Sequence, residues 1–283
     1  MNFVTAAVGE RYHRHVRGLI RSLARSTQNA KLYIYTDQPP HDTSWTTEIG
    51  FSFSDRSKLN PDRIDLCRLK LECLSRTASR TGWPLIWTDA DMLILDDVLA
   101  PIVLECGADG IFDAVGLTRR TITDHSTRRK IDCGNGLIVN EESYFLSGFF
   151  LCSLPVFGRM AAAWLSRPHW ENPGRGDAES EDTLGCLDQP ILNHALVIRD
   201  TACISLRQDR IVNLDLCDGE HPYPEHLSKV AFSLRGDDLY AGSRKVAIFY
   251  WTAQSLEANL SEDFMAIRDD ASRAFIRSFY ADE

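Results

Sequence analysis

The amino-acid sequence predicts an α/β protein in which helices flank a mostly parallel central sheet. Short apolar runs alternate with amphipathic stretches through the first third of the chain, which is the pattern of a parallel sheet with right-handed crossovers. A composition of 44% hydrophobic and 25% charged residues is typical of a globular protein, and 283 residues are enough to bury a full core. Because no linker divides the chain, we expect a single domain over residues 1–283 with an elaborated C-terminal half.

The elements of the N-terminal part follow from the spacing of apolar residues. A helix is predicted over residues 11–26, where an apolar stripe at helical spacing is formed by Val16, Leu19, Ile20 and Leu23. A second helix over 61–80 leads into an apolar run at 84–87 that suits a buried strand. Further strands are predicted at 3–7, 32–35 and 51–53.

The C-terminal part continues the alternation with weaker patterns. Asp96 or Asp97 would cap a helix that runs to residue 106. Residues 119–136, which are basic, and 167–182, which are polar, are predicted to form loops. Strands are predicted at 112–117, 143–154, 203–206, 211–216 and 246–251. Helices are predicted at 184–196 and 262–280.

Charge and cysteine content exclude several classes of function. A net charge of −9 argues against a nucleic-acid binder. The eight cysteines include no Cys-x-x-Cys pair, so we expect buried free thiols in a reducing cytoplasm rather than a zinc site made of cysteines alone. No apolar run approaches the roughly 20 residues needed to cross a bilayer, and the N-terminal residues show no secretion signal. The sequence therefore predicts a cytoplasmic protein.

A basic stripe on the first predicted helix leaves two interpretations open. The stripe is formed by Arg14, Arg17, Arg21 and Arg25. It is either a solvated helix face or a weak peripheral contact with an anionic membrane. The second interpretation would place the protein at the inner face of the membrane.

The two acids at the end of the predicted strand 84–87 are the main candidates for chemistry. In open α/β sheets, ligands bind in the crevice outside the carboxyl ends of the strands, which is where Asp89 and Asp91 fall. Residues two apart in an extended chain point to one side, so we expect these two carboxylates to share a ligand. They would repel each other unless a positive charge lies between them. A divalent cation, Mn or Mg, that bridges to a diphosphate would meet this need.

Four segments follow one another in a recognisable order: Val4–Ala7 with Tyr12 and Ser22–Leu23; Arg68–Leu71; Asp89–Leu95; and Tyr144–Phe145 with Ser147–Gly148, followed by Asp188–Asn193. Taken in this order, they resemble family eight of the nucleotide-sugar-dependent glycosyltransferases, which includes glycogenin and bacterial lipopolysaccharide galactosyl- and glucosyltransferases. The resemblance implies the GT-A fold, which is Rossmann-like, with a nucleotide-binding half at 1–118 and an acceptor-side half at 119–283. It also implies transfer of a hexose from a donor, usually UDP-linked, to a glycan or glycolipid acceptor, with retention of anomeric configuration.

The resemblance also assigns roles to individual residues. Residues implied to bind the nucleotide sugar are Thr5, Ala6, Tyr12, Arg68, Lys70, Asp89, Ala90, Ser147 and Gly148. Asp89 and Asp91 are implied to bind the metal, and Asp188 and Gln189 to lie beside the transferred sugar. Two roles stay open for Asp188: stabilising oxocarbenium-like charge, or orienting the acceptor hydroxyl. Basic residues that could close over the leaving group are Arg119, Arg120, Arg128, Arg129 and Lys130.

The chain departs from the family at the third metal ligand. The family has a His in a late segment whose nearest match here begins at Tyr250. Either another residue completes the metal shell, such as His221 or His226, or the metal is held mainly by the diphosphate. This departure keeps open a second function, a catalytically inactive nucleotide-sugar-binding protein. A sugar nucleotidyltransferase ranks lower, because such an enzyme is expected to carry a Gly-rich loop and this chain has only Gly9 after its first strand.

Overall fold

The computed structural model of the protein describes most of the predicted elements. The described residues are 1–8, 10–27, 30–36, 66–97, 114–118, 130–133, 136–140, 145–166, 188–197, 203–205, 211–213, 231–250 and 269–281. Two predictions, the strand at 51–53 and the loop at 167–182, lie outside these residues. So does the helix predicted to run from Asp96 or Asp97 to residue 106, apart from its first residues.

Fourteen strands occur in the part of the chain that the structure describes. They are β1 (Asn2–Ala7), β2 (Lys31–Thr36), β3 (Leu85–Thr88), β4 (Met92–Ile94), β5 (Ala114–Thr118), β6 (Lys130–Asp132), β7 (Ile138–Asn140), β8 (Phe145–Cys152), β9 (Cys203–Ser205), β10 (Ile211–Asn213), β11 (Phe232–Arg235), β12 (Asp238–Ala241), β13 (Arg244–Lys245) and β14 (Ile248–Tyr250). Six of them form the central sheet in the order β2-β1-β3-β8-β5-β9.

The central sheet is rich in parallel pairs, which confirms the predicted α/β fold class. Strand β1 pairs in parallel with β2 and with β3, and β5 pairs in parallel with β9. Strand β8 is antiparallel to both of its neighbours, β3 and β5. A second sheet has the order β10-β14-β4 and includes β4, the strand that follows β3 in the chain. Strands β11, β12 and β13 form an antiparallel meander.

Helices cover both faces of the central sheet. Those among the described residues are α1 (Glu10–Ser26), α2 (Leu66–Thr81), α3 (Leu154–Ser166), α4 (Asp188–Val197) and α5 (Asp270–Ser278). On one face, Leu19 and Leu23 of α1 pack with Phe3 of β1. On the other, Leu74 of α2 shares a buried cluster with Val4 of β1. Neighbouring residues of β1 thus enter opposite cores, as the alternation of side chains along a strand requires.

The predicted elements of the N-terminal part that fall on described residues are confirmed, and three features of the C-terminal part differ from prediction. The predicted loop at 119–136 contains β6, which pairs with β7. Helix α3 was not predicted; its sequence is apolar around most of its circumference, so no helical stripe stands out. The meander at 232–245 was also not predicted, because its strands have only two to four residues each.

The basic stripe on α1 is used partly for contacts inside the protein. Arg25 forms an ion pair of 2.9 Å with Asp237 and lies over the ring of Phe275 in α5. Arg21 donates hydrogen bonds to backbone carbonyl oxygens just after α5, at Phe279 and Ala281. Two of the four arginines thus hold the C-terminal part of the chain. None of the helices in the described part of the chain has the length and apolar character needed to span a bilayer.

Candidate active site

The candidate site lies where β8 extends past the end of β3. Strand β8 begins at Phe145, but only its residues 149–152 pair with β3. The first residues of β8 therefore lie beyond the carboxyl end of β3. On the other side of β8, the pairing with β5 shifts register between Gly116 and Leu117. Such irregularities are frequent beside active sites, where they redirect side chains.

Lys70 is the centre of the site. Its Nζ lies 2.6 Å from Oδ2 of Asp188 and 3.2 Å from Oδ1 of Asp89, and it donates a hydrogen bond of 2.8 Å to the carbonyl oxygen of Ser147. An ammonium group has three N–H donors, so these three acceptors match its full capacity. The ammonium also lies 5.2 Å from the centre of the Trp87 ring, within the range of a cation–π contact.

The position of Lys70 on α2 explains its burial. Cys67, Leu71 and Leu74 lie at helical spacing on the buried face of this helix, and Lys70 shares that face. Only 4% of the Lys70 residue surface is exposed. Burial alone would lower the pKa of the amine, but the neighbouring carboxylates of Asp188 and Asp89 raise it well above its ordinary value. Lys70 therefore remains charged.

Asp188 is held in its ionised form. It is the first residue of α4, where the helix dipole favours a negative charge. Its Oδ2 accepts a hydrogen bond of 2.5 Å from the hydroxyl of Ser147 in addition to the ion pair with Lys70. Burial alone would raise the pKa of Asp188, but the charge and hydrogen bond of Lys70 and the hydrogen bond from Ser147 lower it below its ordinary value.

Asp89 completes the cluster under less favourable electrostatic conditions. Its Oδ1 accepts a hydrogen bond of 2.7 Å from the indole nitrogen of Trp87, and its backbone N–H donates one of 2.7 Å to the carbonyl of Gly148. Burial raises the pKa of Asp89, and the nearby charge of Asp188 adds to this rise although Lys70 opposes it. Because 27% of the Asp89 side chain remains exposed, contact with water limits the rise.

The chain between Asp89 and Asp91 differs from the extended segment expected from the sequence. Ala90 and Asp91 form a turn that joins β3 to β4, so the argument that alternate residues point to one side does not apply there. Asp91 is 8% exposed. The sequence predicted that a divalent metal ion would provide positive charge beside Asp89. In the structure, the ammonium of Lys70 provides positive charge there. Among the described residues, no three His, Cys, Asp or Glu side chains are grouped to hold a metal ion.

The late segment implied to supply the third metal ligand reaches the neighbourhood of Asp91. Tyr250, the last residue of β14, pairs with Met92, which directly follows Asp91. The alternative ligands His221 and His226 lie outside the described residues. So do the predicted basic clamp residues, apart from the backbone of Lys130 in β6.

The other predicted site residues lie in varied surroundings. Thr5 in β1 is fully buried, whereas Ala6 and Gln189 are partly exposed. Tyr12 is exposed on α1. Arg68 is exposed on α2 and lies 3.9 Å from Glu72, so Lys70 rather than Arg68 is the basic residue of this segment that enters the cluster.

Two contributors to the site were not assigned a role from the sequence. Trp87 donates a hydrogen bond from its indole N–H to Asp89. Its position two residues before Asp89 was the one feature of the sequence that could have indicated this contact. Asn193 bonds to both Phe145 and Gln189 from within α4. The sequence showed Asn193 only as the end of a segment of the resemblance.

Comparison with known proteins finds no matching family and no significant match among curated proteins. Among solved structures, the chain is similar to an active-site glutamine-to-glutamate mutant of LgtC, at 12% identity and a TM-score of 0.48, over 97% of this chain and 94% of that chain. It is also similar to the galactosyltransferase LgtC in complex with donor and acceptor sugar analogs, at 12% identity and a TM-score of 0.46, over 98% of this chain and 96% of that one. At this level of likeness, a function has to be argued from the site residues themselves.

Proposed function

We propose that the protein is a glycosyltransferase that moves a hexose from a nucleoside diphosphate sugar to an acceptor hydroxyl. One observation carries the proposal: Lys70, Ser147 and Asp188, which are buried, form a single cluster with the partly exposed Asp89 through contacts of 2.5 to 3.2 Å. These residues belong to three of the four segments that resemble family eight. Buried charged groups with shifted pKa values at the carboxyl end of a strand are typical of functional sites.

The charges of the cluster suit the transfer reaction. When the bond between the anomeric carbon and the diphosphate breaks, positive charge develops on the sugar and negative charge on the leaving group. Asp188, held ionised by Lys70 and Ser147, would stabilise the positive charge on the sugar. The buried ammonium of Lys70, next to the partly exposed Asp89, would provide positive charge close to the diphosphate without needing to donate a hydrogen bond to it. The resemblance adds a UDP-linked donor and retention of configuration to this proposal.

A divalent cation fits the donor set, and we propose Mn or Mg bound by Asp89 and Asp91. Asp89 and Asp188 both contact the ammonium of Lys70, so two carboxylates share one positive charge in the cluster. Oδ1 of Asp89 already accepts from Trp87 and Lys70, which leaves Oδ2 as the atom to offer a cation. A bound cation would stabilise the charge of the leaving diphosphate.

The proposed partners are a nucleotide-sugar donor and a glycan or glycolipid acceptor. A cytoplasmic location is supported by buried free thiols, namely those of Cys67, Cys73, Cys133 and Cys152. Peripheral contact with a membrane has less support, because Arg21 and Arg25 of the basic stripe contact the C-terminal part of the chain.

A catalytically inactive nucleotide-sugar-binding protein is the second candidate. It is favoured by Tyr250, which pairs with the residue after Asp91 at the point where the resemblance implies a metal-binding His. Both candidate functions predict that the protein binds a nucleotide sugar, but only the glycosyltransferase predicts that the sugar is transferred.

A panel of nucleotide sugars separates these functions. The unfolding temperature of the protein should be measured with UDP-hexoses, with and without Mn, because a ligand of the native state raises it. The same mixtures should be assayed for release of UDP. The glycosyltransferase proposal predicts both Mn-dependent stabilisation and turnover. Stabilisation without turnover would favour the inactive binding protein, and no stabilisation by any nucleotide sugar would contradict both.

A further inference from the structure

The side chain of Asn193 joins the two elements that carry Ser147 and Asp188. Its Oδ1 accepts a hydrogen bond of 2.9 Å from the backbone N–H of Phe145, and its Nδ2 donates bonds of 2.9 Å to the carbonyl oxygens of Phe145 and Gln189. Asn193 is fully buried. Both hydrogens of the carboxamide and its oxygen are therefore used inside the protein.

The bonded residues are immediate neighbours of the cluster. Phe145 begins β8 and lies two residues before Ser147, while Gln189 follows Asp188 in the first turn of α4. Strand β3 does not reach Phe145, since its pairing with β8 stops at Phe149. The carboxamide of Asn193 thus hydrogen-bonds to the backbone N–H and carbonyl of Phe145, in the part of β8 that does not pair with β3.

Hydrogen bonds fix a position that packing alone leaves adjustable. Ile191 and Leu192 bury α4 against the core, but apolar packing is not directional and tolerates small sliding movements. The two bonds between Asn193 and Phe145 are directional, and they tie α4 to one register along β8, while the bond to Gln189 lies within α4 and orients the carboxamide. The contact of 2.5 Å between the Ser147 hydroxyl and Asp188, and the ion pair of 2.6 Å between Lys70 and Asp188, both depend on that register.

We infer that Asn193 is a positioning residue of the proposed active site: it sets the place of Asp188 relative to Lys70 and Ser147 without touching the substrate. The inference rests on the proposed function, which it deepens. A displacement of about 1 Å at reacting groups costs on the order of a hundredfold in rate. Loss of Asn193 should therefore act on kcat rather than on binding of the donor.

The first test uses Asn193→Ala with two readouts. In the wild-type protein, the Lys70 ammonium is buried with three acceptors, so its ¹⁵Nζ–¹H signal should be protected from solvent exchange. In Asn193→Ala this signal should shift or broaden beyond detection. With the donor found in the nucleotide-sugar panel, kcat should fall about 10- to 100-fold while the KM for the donor changes by less than about threefold.

Leu192→Ala is the matched control. Leu192 is the adjacent residue on α4 and is equally buried, but its side chain contributes packing only. This variant should lose stability, yet it should keep the Lys70 signal and a kcat within about threefold of the wild type. If both variants affect the signal and kcat alike, or if Asn193→Ala affects neither, the inference is overturned.

Two further measurements keep the inference testable if Asn193→Ala does not fold. Asn193→Asp preserves the shape and the acceptor for Phe145 but removes both donated hydrogen bonds, so it should show the same loss of signal. In the wild-type protein, the Asn193 carboxamide protons should exchange slowly with solvent, and rapid exchange would overturn the inference. If the wild-type protein transfers no sugar, the proposed function fails, while the Lys70 signal still decides whether Asn193 sets the cluster geometry.

Discussion

The ammonium nitrogen of Lys70 lies 2.6 Å from the carboxylate of Asp188, and the two side chains are 5% and 4% exposed. Burying two charges costs free energy that their attraction offsets only with good geometry and further hydrogen bonds. Here Ser147 supplies one such bond to Asp188, and its backbone carbonyl accepts another from Lys70. A pair held in this way contributes little to stability on balance, which supports our proposal that it belongs to an active site.

Removing the charge of Lys70 should destabilise the fold. Lys70→Met keeps much of the side-chain volume but leaves Asp188 buried without its counter-charge, and we expect a loss of about 3–5 kcal/mol in the free energy of unfolding. Urea denaturation measures this change. Arg68→Met, two residues earlier on the exposed face of α2, is the control and should change stability by less than about 0.5 kcal/mol. Equal effects of the two substitutions would show that the buried pair is not formed.

The ion pair should also determine part of the stability in acid. Because the folded-state pKa of Asp188 lies below its ordinary value of 3.8, the ionised carboxylate stabilises the folded protein at pH values above 3.8. This contribution is lost as the pH falls below 3.8 towards the folded-state pKa. Unfolding free energies of the wild type and Asp188→Asn, measured from neutral pH to below 3.8, should converge in that window. A constant difference would mean that the pKa of Asp188 is not depressed.

A close contact between α1 and the C-terminal segment predicts a sensitive glycine. A Cβ atom at Gly18 would lie 2.3 Å from the ring of Tyr280, which is itself buried. Gly18→Ala should therefore destabilise the protein by about 1–3 kcal/mol. Gly158→Ala, also within a helix but with no atom within 4 Å of the added Cβ, is the control and should be neutral or stabilising by up to about 1 kcal/mol. Thermal unfolding of the two variants compares them, and similar melting temperatures would contradict the packing of Tyr280 on Gly18.

The metal assignment is tested by Asp91→Asn. The substitution removes a charge from the turn after β3, so Mn should no longer enhance donor binding and transfer should fall by at least about a hundredfold. The protein should remain folded by circular dichroism. Asp270→Asn, an exposed residue of α5, serves as the control for a general effect of lost charge. Activity of Asp91→Asn within a few-fold of the wild type would remove Asp91 from the metal site.

The sequence predicted the scaffold of the site better than its interior. Helix α1 and strands β1 and β3 follow from local patterns of apolar residues, which do not depend on distant parts of the chain. The antiparallel entry of β8 between β3 and β5 depends on long-range pairing, which local patterns do not contain. The resemblance to family eight predicted that Lys70 and Asp188 both lie at the site of the nucleotide sugar. Their direct ion pair was not predicted, because the burial of a lysine on α2 depends on how that helix packs.

The turn at Asp91 shows how a local rule fails. The spacing of Asp89 and Asp91 suggested that both point to one side, but this holds only while the strand continues. Strand β3 ends at Thr88, and the chain turns there to pair β4 with β14. Since β14 lies more than a hundred residues later in the chain, the residues around the turn give no sign of this pairing.

A crystal structure with Mn and a UDP-hexose bound would show directly whether the cluster around Lys70 is the donor site. We expect density for the cation at Asp89 and Asp91, for the diphosphate close to Lys70, and for the sugar within contact distance of Asp188. A nucleotide sugar bound elsewhere on the protein, with the Lys70–Asp89–Asp188 cluster unchanged and without ligand, would contradict the proposed site.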